Sequence, residues 1–237
     1  MSRKKQLFLI PYAGGTGEVF DDFIRYLDKS ISTVKIEYSG HGSRRKEAYY
    51  DTFQEMTEDV AGQINAQLEK DADIAIFGYS MGSIVAYELV AQGLLNVKPS
   101  CVLLASHEAP DVEWESKSYY RMDDMTFFQK IQDMGGFERC TPEMLRNRFF
   151  KKLHFEPVRE DYRLLGNYKM SKESVIDVPA ILFYSKEDIP KKHIRKWEPF
   201  LGEKSKVIEY GGGHFFIREY AEKMAEELIK IWKDIIA

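Results

Sequence analysis

The chain has 237 residues, with 34 Lys and Arg against 38 Asp and Glu and a net charge of −4. That balance is unfavourable for a nucleic-acid partner, and 44% hydrophobic with 30% charged residues excludes the disordered and fibrous classes. The longest apolar runs, such as Leu7 to Ile10, fall far short of the roughly twenty residues that a membrane-crossing helix needs.

Taken in chain order, the charged opening Met1 to Lys5 leads into an apolar stretch that stops at Pro11, too short for the roughly 7 to 15 residues of a signal peptide's core. It reads as a first strand, Gln6 to Ile10. Further β-rich apolar runs at Thr33 to Tyr38, Ile74 to Phe77, Cys101 to Ala105, Ala180 to Tyr184 and Lys206 to Tyr210 predict five more. Helical spacing fills most intervals. Phe53, Met56, Val60, Ile64 and Leu68 recur every three or four positions behind a Thr52 to Glu55 capping box, and Tyr220, Met224, Leu228, Ile231 and Ile235 repeat the pattern at the end. Strands alternating with helices predict an α/β protein with a mostly parallel, doubly wound sheet. Cys101 and Cys140 have no spacing for a disulfide framework or a metal site, so reduced thiols and a cytoplasmic setting are expected.

Between the fourth and fifth strands the alternation breaks for more than seventy residues. A structureless loop of that length is not expected in a compact domain. The interval is rich in Met and Phe, including Met134, Phe137, Met144 and Phe150, and reads as an inserted helical lid subdomain over residues 108–176 within a single domain spanning 1–237. Most of these side chains are expected to pack the insertion onto the sheet, with a few facing a pocket for an acyl chain.

Gly78-Tyr79-Ser80-Met81-Gly82 fits G-x-S-x-G. The pentapeptide is a weak signal alone, but it follows a strand and precedes the helical run Ser83 to Leu89, the setting of a nucleophile elbow. A serine hydroxyl is a poor nucleophile until an imidazole takes its proton and a carboxylate orients that imidazole. Of the five histidines, His214 follows the last strand through Gly211-Gly212-Gly213, where sheet hydrolases with this elbow carry theirs. His193 sits in a Lys-rich segment and reads as surface. For the acid, Asp188 follows the fifth strand at its carboxyl end, with Glu187 as the local competitor and Asp177 on the wrong edge. The expected oxyanion donors are the backbone amides of Met81 and, from the loop Pro11-Tyr12-Ala13-Gly14-Gly15, of Ala13, with Tyr12 or Gly14 as alternatives.

Together these residues resemble the type II thioesterases that accompany nonribosomal peptide synthetases and polyketide synthases, members of the α/β-hydrolase superfamily. The resemblance spans nearly the whole chain and rests on Pro11 to Gly15, Ser39-Gly40-His41-Gly42-Ser43-Arg44, the elbow with Met81 after the serine, Asp188, and Gly212-Gly213-His214-Phe215-Phe216. It departs at Ser39, where family members commonly carry Pro. It implies a thioester substrate on the 4′-phosphopantetheine arm of acyl or peptidyl carrier-protein domains, no metal or organic cofactor, and an editing role. Nothing in it demands more than a monomer. Basic clusters at Arg44 to Lys46, Lys151 and Lys152, and Lys191 to Lys196 are candidates for steering an acidic carrier protein. An esterase, lactonase or acyltransferase shares the same triad chemistry, and a non-catalytic carrier-protein binder has no need of all three triad residues.

Overall fold

A computed structural model describes residues 4–236; the opening Met1 to Arg3 and the side chain of Ile235 lie outside the described residues. Six strands, β1 (Lys5–Ile10), β2 (Ile31–Lys35), β3 (Asp73–Tyr79), β4 (Cys101–Ala105), β5 (Ala180–Ser185) and β6 (Lys206–Tyr210), form one sheet in the order β2-β1-β3-β4-β5-β6. Every pairing is parallel. The helices are α1 (Asp21–Arg25), α2 (Phe53–Ala66), α3 (Met81–Ala91), α4 (Asp124–Asp133), α5 (Arg148–Phe150), α6 (Glu156–Gly166), α7 (Lys191–Ile194) and α8 (Ile217–Ile236), joined by short 3-10 turns. Among the described residues no helix is long and apolar enough to cross a membrane.

Successive strand residues point to opposite faces, so the continuous apolar runs supply two cores at once. Phe8, Ile10, Ile74, Ile76, Val102 and Leu104 face α2, α3 and the segment between β4 and β5. Leu7, Leu9, Ala75, Phe77, Leu103 and Phe183 face Phe23 of α1 and Met224, Leu228 and Trp232 of α8. Five strands lie within two residues of the sequence expectation. The second does not: it pairs from Ile31 and leaves the ladder after Lys35, although the Ile36 amide still donates to the Leu9 carbonyl at 2.9 Å. As an edge strand it has one neighbour, and Lys5 to Leu9 of β1 set its extent rather than its own β-branched run. The capping box also differs in detail. Thr52 accepts from the Glu55 amide at 3.1 Å, but the Glu55 carboxylate reaches back to the amide of Asp51 at 2.9 Å.

The segment between β4 and β5 contains α4, α5, α6, two 3-10 turns and one π turn at Lys151–Phe155. Phe127, Phe128 and Phe155 are buried packing residues, whereas Met125 and Phe149 stay exposed. The segment's return is tied down by Glu88 of α3, which accepts from the Tyr168 hydroxyl at 2.6 Å and the Ser171 amide at 3.1 Å.

Candidate active site

The strand order reverses between β1 and β3, and at that reversal the loops leaving neighbouring strands diverge and open a crevice. Ile10 stands opposite Gly78 in the register, so the Pro11 to Gly15 loop and the Ser80 turn emerge side by side. Ser80 sits between β3 and α3 with φ 54° and ψ −119°, a sparsely populated conformation costing about 1–3 kcal/mol that lifts its side chain off the sheet edge. The turn is tight: a Cβ on Gly78 would stand 2.0 Å from the Gly82 carbonyl oxygen. Ser83 braces the turn, accepting from the Ala105 amide at 2.9 Å and donating to the Gly78 carbonyl at 2.8 Å.

The structure brings Ser80, His214 and Asp188 together from three strand ends. His214 Nε2 lies 3.0 Å from Ser80 Oγ, and His214 Nδ1 lies 3.0 Å from both Asp188 carboxylate oxygens. A carboxylate accepts only, so Nδ1 carries the proton and Nε2 offers its lone pair to the serine hydroxyl. The His214 and Asp188 side chains are 11% and 10% exposed, which keeps solvent from competing for these bonds. Burial raises the Asp188 pKa, but the attraction and hydrogen bond of His214 and a hydrogen bond from Ser106 outweigh it and hold the carboxyl below its usual range. Glu187 turns instead to Ser185 at 2.8 Å, and exposed Asp177 pairs with Lys98.

Among the described residues, the amides of Met81 and Ala13 have no protein acceptor. The Gly14 amide is already committed to Asp161 Oδ2 at 2.6 Å, which removes it as an alternative donor. Ala13 joins Ser80 and His214 in the wall of a cavity of about 400 Å³. Its remaining lining comes mostly from the inserted segment, including Ile131, Met134, Phe137 and Phe150, with Cys140 and His154 beside them and, among the described residues, no carboxylate, Lys or Arg. A more polar cavity of about 610 Å³ opens on the other side of Ser80, lined by Glu108, Trp114 and Tyr119.

Several site residues escape a reading of the sequence. Ser106, the first residue after β4 and at φ 58°, donates to Asp188 Oδ2 at 2.5 Å and lies 2.9 Å from the His214 carbonyl, which also accepts from Tyr79 at 2.6 Å. Its place at a strand's carboxyl end was the available signal. His107 is held neutral by burial, its pKa lowered to about 4. His193 is partly shielded and bonded to Glu108 rather than free on the surface. Of the basic clusters, Arg44 is absorbed into a network with Asp59 and Glu47, and Lys151 pairs with Asp124, whereas Lys152, Lys192 and Arg195 remain exposed.

A family model described as the thioesterase domain matches residues 5–236. The gramicidin S biosynthesis protein GrsT of Aneurinibacillus migulanus is 26% identical over 99% of this chain and 91% of its own length. Among solved structures, ClbQ from the colibactin NRPS/PKS pathway superposes with a TM-score of 0.85 at 24% identity, over 99% of this chain and 98% of that one. YbtT, a type II thioesterase from the yersiniabactin NRPS/PKS pathway, does so at 0.81 and 20% identity, over 100% of this chain and 96% of that one. Those superpositions establish the α/β-hydrolase fold. With the family match spanning nearly its whole length, the chain belongs to the thioesterase domain family and is a thioesterase.

Proposed function

We propose that Ser80, His214 and Asp188 are the catalytic triad of a hydrolase that releases acyl or aminoacyl groups from the 4′-phosphopantetheine arm of carrier-protein domains, clearing stalled arms of nonribosomal peptide or polyketide synthases. The observation that carries it is the unbroken chain of contacts from Asp188 through His214 to Ser80 Oγ, ending at the apolar cavity. ClbQ and YbtT, from NRPS/PKS pathways, and GrsT, named for gramicidin S biosynthesis, support the choice of substrate.

The steps follow from the geometry. His214 Nε2 takes the Ser80 proton as the oxygen attacks the thioester carbonyl, and the developing oxyanion accepts from the Met81 and Ala13 amides. The carbon–sulfur bond breaks, the His214 proton passes to the departing sulfur, and an acyl-Ser80 remains. His214 then deprotonates a water that attacks this ester, freeing the acid and restoring the serine. Met81 also begins α3, whose N-terminal dipole favours the same negative charge. Residues 108–176 act as the lid over the acyl group, and exposed Lys152, Lys192 and Arg195 steer an acidic carrier protein. One chain supplies every residue of the proposed triad, which supports a monomer, and a synthase-bound substrate supports a cytoplasmic setting.

The test is a parallel assay of an acyl-pantetheine thioester and the matching oxygen ester. Faster hydrolysis of the thioester is expected; preference for the oxygen ester would overturn the reading. The cavity makes a second expectation. Cys140→Phe fills space beside Phe137, so kcat/KM for medium-chain acyl-pantetheines falls about tenfold or more while acetyl-pantetheine changes by less than about threefold. Equal effects on both chain lengths would place the acyl group elsewhere.

A further inference from the structure

Asp161 has no part in the steps above, yet it is 1% exposed and its Oδ2 accepts two hydrogen bonds from distant parts of the chain. One is the Gly14 amide at 2.6 Å; the other is His41 Nε2 at 3.0 Å. His41 Nδ1 lies 3.0 Å from the Ser39 carbonyl, so both ring nitrogens face acceptors and both donate, as in a protonated imidazole. Burial works hardest against that charge, but the attraction and hydrogen bond of Asp161, the Ser39 carbonyl and the charge of Glu37 together outweigh it and leave the His41 pKa raised. A buried carboxylate is costly unless paired and hydrogen-bonded, and here it is both.

A second contact reaches the same turn from the same helix. Val158 and Asp161, three residues apart on one face of α6, both meet Gly14, whose φ is +73° and whose missing Cβ would stand 2.2 Å from Val158 Cγ2. The turn is pinned at its other end as well, because Tyr38 donates to the Pro11 carbonyl at 2.8 Å and the Gly15 amide donates to the Tyr12 carbonyl at 2.9 Å. Between these fixed points stands Ala13, its amide free of any protein acceptor among the described residues.

We infer that Asp161 is a positioning residue through which α6 of the inserted segment holds the Ala13 amide at the oxyanion site. The inference rests on the reading of Ala13 as an oxyanion donor. It follows that the donor pair is assembled only while α6 is seated: lifting the helix removes the Gly14 acceptor and the Val158 contact together, and the turn loses the geometry that aims Ala13.

The experiment compares Asp161→Ala and Asp161→Asn with the wild type in the full-length chain, measuring kcat and KM for an acyl-pantetheine thioester and the inhibition constant of an alkylboronic acid. The boronate bonds to the serine and places an oxygen where the oxyanion develops. Asp161→Ala is expected to lower kcat about 10²-fold, the scale of losing one oxyanion donor, with KM within about threefold. The boronate is expected to weaken by the same factor as kcat/KM. Asp161→Asn keeps an oxygen for the Gly14 amide and should recover kcat to within about tenfold of wild type, with the same match to the boronate. If Asp161→Ala does not fold, the Asn variant carries the comparison alone. An unchanged kcat in folded Asp161→Ala, a fall of kcat well beyond about tenfold in Asp161→Asn, a loss confined to KM, or, in either variant, a fall in kcat without the matching loss of boronate affinity would overturn the inference. Those results leave the proposed function standing, whereas a wild type that does not hydrolyse the thioester removes that reading itself.

Discussion

Ser80→Ala is expected to lower kcat for thioester hydrolysis on the order of 10⁶-fold while leaving the fold intact. The substitution removes one oxygen from a residue that is 8% exposed, with its backbone amide held by the Ala105 carbonyl at 2.7 Å. Alanine at φ 54° meets strain similar to that of serine, so the melting temperature should move by only a few degrees. What disappears is the hydroxyl that lies 3.0 Å from His214 Nε2 and that the proposed mechanism acylates. A residual rate survives from the oxyanion donors and substrate binding, and steady-state kinetics with an acyl-pantetheine thioester measures it. A variant that retains more than about a tenth of wild-type activity contradicts Ser80 as the nucleophile.

The second large effect is at Asp188. Asp188→Asn is expected to reduce kcat about 10⁴-fold, because an amide facing His214 Nδ1 donates where the carboxylate accepted. The imidazole then carries its proton on Nε2 and points it at Ser80, the wrong tautomer for a base. Ser106 cannot compensate, because its hydroxyl already donates to the carboxylate and, being neutral, supplies no charge to hold a proton on Nδ1. The loss should fall on kcat more than on KM, since Asp188 itself does not line the apolar cavity. A stability effect accompanies it. The Asp188 pKa is depressed in the folded protein, so its ionised form stabilises the fold above the ordinary carboxylate pKa of about 4, and that contribution is lost as pH falls through the lower folded value. The Asn variant should therefore melt below wild type at neutral pH and converge with it in acid. Retention of wild-type kcat would identify another acid.

The proposed triad can be picked out of the sequence because each member lies just beyond a strand end. Ser80 follows β3, Asp188 follows β5 and His214 follows β6, so the parallel order carries all three to one edge before any side-chain packing is known. The proposed oxyanion loop narrows from the sequence only to three candidates, and setting Gly14 aside requires knowing that Asp161 takes its amide, a contact across 147 residues. Asp161 left a faint mark, a carboxylate on the apolar face of α6 beside Val158, Tyr162 and Leu165, but its partner His41 lies 120 residues away on a loop. Edge strand β2 was misplaced because strand limits depend on the neighbour. The 3-10 and π turns between β4 and β5 were missed because they lack the 3.6-residue period of an α-helix.

The most direct measurement treats the wild-type chain with a fluorophosphonate, which reacts with an activated serine hydroxyl, and follows peptide mass and thioester hydrolysis together. The buried hydroxyls of Ser80 and Ser106 both lie within hydrogen-bonding distance of the His214 ring, so the site of labelling discriminates between them. One adduct per chain, on Ser80, with acyl-pantetheine hydrolysis lost in proportion to labelling, is the predicted result. Full modification of Ser80 with undiminished hydrolysis, or inactivation that tracks an adduct on another residue, would contradict it.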